Sequence, residues 1–259
     1  MANTVYPNFV LENKATDLLT TAVNMRNYMT IDTSLTASAG MKKTINTYTY
    51  TGEAEELEVG KANTKRGSIS YVPTEYTVKL VQQTFYYYDE DVMKDPTIVD
   101  NMMKGATQVM ANKMTADFLT EIAKTTTAST FASNYGYDAV VDGITELNLE
   151  DESPIFNMIP NGWKAQVRKD ADYKAARMGE VVYTGQMGTV SGIPVVPSKA
   201  LTDAAYVATK QAVTCFMKKD VEVEQTRDAE TRKNTVILRT YYITALTDAT
   251  KACKVSKGA

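Results

Sequence analysis

The clearest periodicity in the chain runs from Thr97 to Lys124. Val99, Met103, Ala106, Met110, Met114, Phe118 and Ile122 fall in one row at helical spacing. Ile98, Met102, Val109, Ala116, Leu119 and Ala123 form a second row, and Asn101, Lys104, Gln108, Lys113, Asp117, Thr120 and Glu121 fill the remaining positions. This pattern predicts one long helix, about 40 Å end to end at ~1.5 Å per residue. Asp95-Pro96 supplies its start, a capping carboxylate followed by proline at the first helical position. The rows lack heptad regularity, so the pattern does not predict a coiled coil.

On either side the period changes to two. Thr44 to Thr51 alternates Thr, Asn and Tyr, a strand composition. An acidic strand is expected next, with Glu53, Glu55, Glu56 and Glu58 around Leu57 and Val59. Gly60 to Gly67 reads as a polar, basic turn carrying Lys61, Lys65 and Arg66. Ile69, Tyr71, Tyr76, Val78 and Leu80 mark a return strand. Together these predict a long two-stranded arm with few large apolar residues. An isolated hairpin is marginal in water, so the arm is expected to rest on neighbouring chains.

Residues 138–207 read as a compact α/β unit. Helices are expected at Asp138 to Leu147 and Trp163 to Lys169. Strands are expected at Ile155 to Ile159, stopped by Pro160, at Val181 to Tyr183 and at Ile193 to Val196. Beyond them, Val213 to Met217, Val221 to Glu224 and Thr235 to Leu246 read as closing strands, with a charged surface turn from Asp228 to Asn234. Lys251 to Ala259 reads as a short basic tail. At the other end Leu11, Leu18, Leu19, Val23 and Met25 suggest a weak helix. The Thr/Ser/Ala-rich stretch from Thr30 to Gly40 cannot bury much of itself.

Composition narrows the chemistry. Of 259 residues 44% are hydrophobic, enough for a real core, and the net charge of −3 gives no global basic field for nucleic acid. There is no histidine, which removes the usual general base, metal ligand and pH switch. Cys215 and Cys253 lack metal spacing; two buried thiols are favoured, with a disulfide as the alternative. The N-terminus lacks the features of a signal peptide, no apolar run reaches ~18 residues, and the expected place of synthesis is the cytosol.

Candidate sites dissolve on inspection. Gly185, Gly188 and Gly192 match no phosphate-loop spacing and precede a strand, so they read as turn glycines. The carboxylates of Glu53 to Glu58 would split between two strand faces, which favours a partner-facing charged strand over a metal or acid/base cluster. Asp89-Glu90-Asp91 and Asp170-Ala171-Asp172 have no nucleophile in view and read as caps and turns. Tyr86-Tyr87-Tyr88 reads as a core or subunit contact rather than a base-stacking platform. The methionine face of the long helix reads as core filler. No cofactor, metal or catalytic residue is expected. A hydrolase built on the acidic pairs would lack a nucleophile motif.

The order of elements carries a resemblance. Gly185-Gln186-Met187-Gly188-Thr189-Val190-Ser191-Gly192-Ile193-Pro194-Val195-Val196-Pro197-Ser198 resembles a stretch near the end of the axial domain in major capsid proteins of tailed double-stranded DNA phages, the Hong Kong 97-type fold. Thr84-Phe85 to Asp89-Glu90-Asp91-Val92 resembles the entry to that family's spine helix. Ile155 to Pro160 with Trp163 and Arg168-Lys169-Asp170 resembles its axial strand and helix. Val221-Glu222-Val223-Glu224, Arg227-Asp228 and Thr235 to Tyr242 resemble its closing peripheral strands. The likeness covers most of residues 42–255.

The resemblance implies an α+β chain with four parts. Residues 1–41 would be an N-terminal arm and 42–80 the extended loop. Residues 81–127 and 208–259 would form the peripheral domain, with its spine helix at 96–124, and 128–207 the axial domain. It implies a structural, non-enzymatic role: pentamers and hexamers of one chain closing into an icosahedral head around double-stranded DNA, which they contact non-specifically. Glu53, Glu55, Glu56, Glu58, Lys61, Lys65 and Arg66 would lie between subunits. Portal and decoration proteins would be further partners. Only a short arm precedes the hairpin here, so a separate scaffolding protein, or none, is expected. Some relatives crosslink a loop lysine to an asparagine; Lys61, Lys65 and Asn234 are the matching residue types here. An encapsulin-type nanocompartment shell is the alternative on the same fold.

Overall fold

A computed structural model of the chain describes residues 14, 15, 18, 24–37, 40–150, 155–171 and 188–258. The expected strand at Val181 to Tyr183, Gly185 and Asp172 lie outside them, as does most of the expected N-terminal helix.

The long helix is present as Ile98–Ile122, the second of four α-helices with defined bounds among the described residues. We number these α1 (Asp89–Lys94), α2 (Ile98–Ile122), α3 (Tyr137–Leu147) and α4 (Lys164–Lys169). Every residue of the first apolar row on α2 is buried. The second row behaves differently: Leu119 is buried, but Val109, Ala116 and Ala123 face solvent. Asp95 Oδ1 accepts from the Thr97 amide at 2.9 Å and from its hydroxyl at 2.7 Å, so the carboxylate caps the turn from which α2 starts.

The buried row packs on a four-stranded sheet. Its strands are β1 (Thr30–Asp32), β10 (Val213–Asp228), β11 (Lys233–Leu246) and β4 (Lys79–Tyr88), in that order. β1 runs parallel to β10; the other pairings are antiparallel. The alternation in β11 sends Val236, Leu238 and Tyr242 inward onto Met103, Met110 and Phe118. Each such large side chain contributes about 1.5–3 kcal/mol by leaving water. Two acids on the helix are also buried. Asp117 accepts from the Tyr242 hydroxyl at 2.8 Å and from Lys113 at 2.8 Å, and Glu121 pairs with Lys124 at 2.6 Å. Burial, and then the bond to Asp117, push the Tyr242 hydroxyl far above its ordinary range.

A six-stranded sheet forms the second body of β-structure. Its order is β5 (Thr127–Phe131), β12 (Ala252–Lys257), β9 (Ala204–Thr209), β6 (Ile155–Pro160), β8 (Ile193–Ser198) and β7 (Thr189–Val190). β6 and β9 are buried at all six positions. Their residues alternate between two cores. Phe156, Met158, Tyr206 and Ala208 join the core under α2, while Ile155, Ile159, Ala205 and Val207 join one under α3. At Gly143 in α3 a Cβ would meet Val255 and Val207 side chains at 2.9–3.0 Å, so glycine permits this close approach of helix to sheet.

β12 departs from the expected basic tail. Residues 252–257 were placed with the closing strands, as part of a basic tail. They lie inside the six-stranded sheet instead, parallel to β5 and antiparallel to β9. Ala252, Cys253 and Val255 are buried, while Lys254 and Lys257 stay at least partly in solvent. The lysines concealed a short alternating strand. Asn234 also departs from expectation: it is buried, not in a surface turn, and its amide donates to Asp89 Oδ1 at 2.7 Å.

Between β7 and β8, Ser191 and Gly192 both have positive φ (52° and 77°), the signature of a tight type I′ hairpin turn. Gly192 is a turn glycine. Both cysteines are free and buried, and burial pushes each thiol up to about 11.

Candidate intersubunit surface

β2 (Lys42–Thr51) and β3 (Ser68–Thr77) pair only with each other, in register from Lys42↔Thr77 to Thr51↔Ser68. At ~3.3 Å per residue these ten-residue strands make an arm of about 33 Å. The base is anchored. Ile45 and Tyr76 pack on the small core of Leu35, Val78, Phe216 and Ile243, and Lys43 lies over the Phe216 ring, 5.2 Å from its centroid. Beyond the base nothing in the described chain covers the arm; every residue of β3 except Tyr76 is exposed.

The register explains what the arm displays. Tyr48 stands opposite Tyr71, and Tyr50 opposite Ile69, so all four lie on one face. Each is more than 60% exposed. Four adjacent exposed apolar side chains make this face a candidate interaction surface. The sequence reading rested on charge and missed this face. The signal was in the alternation itself, since Tyr48 and Tyr50 share a parity and the turn fixes which residues of β3 oppose them.

The tip corrects the expected acidic strand. Residues 52–67 form no ladder. Gly52 and Gly67 pack so closely against the Tyr50 ring that a Cβ at either would overlap it. Beyond them a side chain organises the loop. Glu55 accepts from the Thr64 amide at 2.7 Å, the Thr64 hydroxyl at 2.9 Å and the Lys65 amide at 3.1 Å. The Thr64 amide, then its hydroxyl, hold the Glu55 carboxyl below its ordinary range. Side-chain bonds to backbone amides thus replace the ladder that strand pairing would have made.

The seven predicted charges therefore divide. Glu53 pairs with Lys65, and Glu55 is used inside the loop. Glu56, Glu58, Lys61 and Arg66 are exposed and form no ion pair among the described residues. The apex is a four-residue turn closed by the Lys61 amide donating to the Glu58 carbonyl at 3.1 Å, with Gly60 at φ 87°.

The acidic runs set aside as catalytic candidates have structural tasks. Asp89 is buried, taking Arg227 at 2.8 Å as well as Asn234, and Glu90 pairs with Arg232 at 2.9 Å. Asp91 accepts from the Tyr88 amide at 3.3 Å. Asp170 accepts from the Tyr137 amide at 3.0 Å, at the start of α3. Among the described residues no cluster of three or more acids and cysteines is arranged to hold a metal, and no helix is long and apolar enough to cross a membrane.

Comparison with known proteins agrees with this geometry. No family model matches the chain. In sequence it is 24% identical over 242 residues to the major capsid protein of Staphylococcus phage phiMR11, covering 90% of this chain and 86% of that one. In structure it is similar to the capsid of a native GTA particle (TM-score 0.69, 13% identity, 100% of this chain and 93% of that one). The mature capsid of bacteriophage PhiM1 gives a TM-score of 0.68 at 12% identity over 99% and 89%. A virus-like particle from Pyrococcus furiosus gives 0.68 at 10% over 97% and 100%. The chain thus has the mixed helix-and-sheet capsid fold of the Hong Kong 97 type, and it resembles the major capsid proteins of tailed phages along nearly its whole length.

Proposed function

We propose that the chain is the major capsid protein of a tailed double-stranded DNA phage, assembling as pentamers and hexamers into an icosahedral head. The observation that carries this is the uncovered arm. A chain with a capsid fold extends about 33 Å of hairpin whose tyrosine face and tip charges its own cores do not use. Residues 1–41 are then the N-terminal arm, 42–80 the extended loop and 96–124 the spine-helix segment. The peripheral domain takes 81–127 and the closing strands from 208. The axial domain takes 128–207 together with the final strand 252–257. Assembly rests on many modest contacts repeated by symmetry. The packaged DNA is held non-specifically, and portal, decoration and any scaffolding proteins are the expected partners in the virion.

Negative-stain microscopy of the purified chain, alone and with scaffolding and portal proteins, tests this reading. Capsomers or closed shells are expected. Monomers alone under every condition would overturn it. A nanocompartment shell is the second reading, favoured by the likeness to the virus-like particle over the whole of that chain. Nuclease-protected double-stranded DNA in purified particles separates the two; the sequence match to a phage protein favours finding it.

A further inference from the structure

Asn161-Gly162 is the only asparagine–glycine pair in the chain. It opens the three-residue turn Asn161–Trp163, between the end of β6 and α4. Both residues are exposed, although β6 before them is buried at every position. The Asn161 side chain has no hydrogen-bond partner among the described residues. Gly162 lies in the first turn, where amides lack an acceptor within the helix, and a Cβ built on it would meet nothing within 4 Å. Other asparagines are held. Asn157 and Asn234 are buried, the one accepting from the Tyr135 hydroxyl at 2.9 Å and the other donating to Asp89. Asn63 accepts from the Lys65 amide at 2.9 Å and precedes a β-branched threonine.

These are the conditions for a spontaneous reaction. Asparagine is thermally labile, and glycine, lacking a Cβ, lets its own amide nitrogen swing onto the preceding side chain. We propose that Asn161 is a site of deamidation. The Gly162 amide nitrogen gives its proton to hydroxide and attacks Asn161 Cγ. The Cγ–Nδ2 bond breaks, ammonia leaves, and a cyclic succinimide remains. Water then opens the ring at either carbonyl. One opening gives aspartate. The other gives isoaspartate, in which the main chain runs through the former side chain and gains a methylene. Either product carries one more negative charge than asparagine. Water and hydroxide are the only co-reactants.

The position of the turn carries the change beyond Asn161. The Asn161 carbonyl accepts from the Lys164 amide, where the turn passes into α4. Trp163 lies within the turn, its ring centroid 5.3 Å from that of Phe131 and 5.1 Å from that of Tyr135. α4 in turn holds the approach to α3, since Gln166 accepts from the Tyr135 amide at 2.8 Å and Asp170 from the Tyr137 amide at 3.0 Å. A methylene inserted at position 161 shifts the carbonyl that Lys164 binds and draws Trp163 off the two rings. On the shell reading, modified copies accumulate as a particle ages.

The test needs only the folded full-length chain, so its outcome is independent of assembly. Wild type and Gly162→Ala are held at pH 6 and pH 8 and sampled over days by peptide mapping with mass spectrometry. Wild type should gain about one mass unit in the peptide carrying Asn161, before any other described asparagine and faster at pH 8. Enzymatic methylation should find isoaspartate in the same peptide. Emission from Trp163, the only tryptophan, should change in step with the mass. Gly162→Ala fits the open space around Gly162. It should slow the gain about fivefold or more, which is ~1 kcal/mol on the barrier. An unchanged Asn161 after weeks at pH 8, earlier modification of another described asparagine, or equal rates in the two proteins overturns the assignment. A mass gain with constant Trp163 emission overturns its reach into the aromatic cluster.

Discussion

The six-stranded sheet and the hairpin arm are both β-structure, yet they use their residues in opposite ways. β6 and β9 are buried at every position and divide their side chains between two cores. β3 is exposed at every position but one, and its tyrosine face touches only itself. The first region has what it needs for folding within one chain. The second satisfies its backbone by pairing but leaves its apolar surface open, and a two-stranded ribbon is marginal on those terms. The contrast separates residues that serve the fold from residues that the fold leaves uncovered, and it can be broken experimentally.

The largest expected effect separates the two functions outright. Replacing residues 52–67 by a two-residue Asn-Gly turn keeps the Thr51↔Ser68 register and removes the tip. Far-ultraviolet circular dichroism and the thermal midpoint should stay near wild type, while microscopy should show no shells. Normal shells from this variant would show that the tip does not carry assembly. Next is the core. Phe118→Ala removes a fully buried ring under α2 and should cost about 3–5 kcal/mol in chemical denaturation.

A pair of hydroxyl deletions sharpens the comparison at smaller scale. Tyr242→Phe removes the buried donor to Asp117 and should cost about 1–3 kcal/mol. Tyr71→Phe, on the open face of the arm, should leave unfolding unchanged within about 0.5 kcal/mol. Gly105 goes the other way. It sits inside α2 with nothing within 4 Å of where a Cβ would stand, so Gly105→Ala should stabilise by about 1 kcal/mol.

What the sequence revealed follows the same divide. The first row of α2 and the paired strands of the arm were legible because burial and alternation impose a period. The second row of α2 was over-read. Val109, Ala116 and Ala123 share helical spacing with buried residues but face outward, and Asp117 and Glu121 take places in the interior because each finds a cation. β12 was missed because its lysines alternate with only three small or branched buried residues. The tip was misread because composition alone could not show that one glutamate would bind two amides nine and ten residues away. Asn234 looked like a turn residue until Asp89 met it from across the sheet. Apart from the second row of α2, each of these misses is a polar contact between residues nine or more apart or a strand too short to announce itself.

The smallest effect concerns that glutamate. Glu55 orders the tip only as a carboxylate, because the Thr64 and Lys65 amides need an acceptor. Its folded-state pKa lies below the ordinary value of 4.5. A group depressed in this way contributes its order above the ordinary value and loses it as pH falls through the folded one. The tip should therefore loosen in acid, while β6 and β9, which contain no carboxylate, should not respond. Glu55→Gln reproduces the protonated state in part at neutral pH, since the amide keeps one acceptor oxygen and loses the charge. Hydrogen exchange by mass spectrometry, corrected for intrinsic rates, should show faster uptake in residues 52–67 of this variant at pH 7 and none at 155–160. Wild type should approach the variant below about pH 4.5. If the two exchange alike at pH 7, the carboxylate does not organise the tip, and the loop must hold its shape by the Gly52–Gly67 closure against Tyr50.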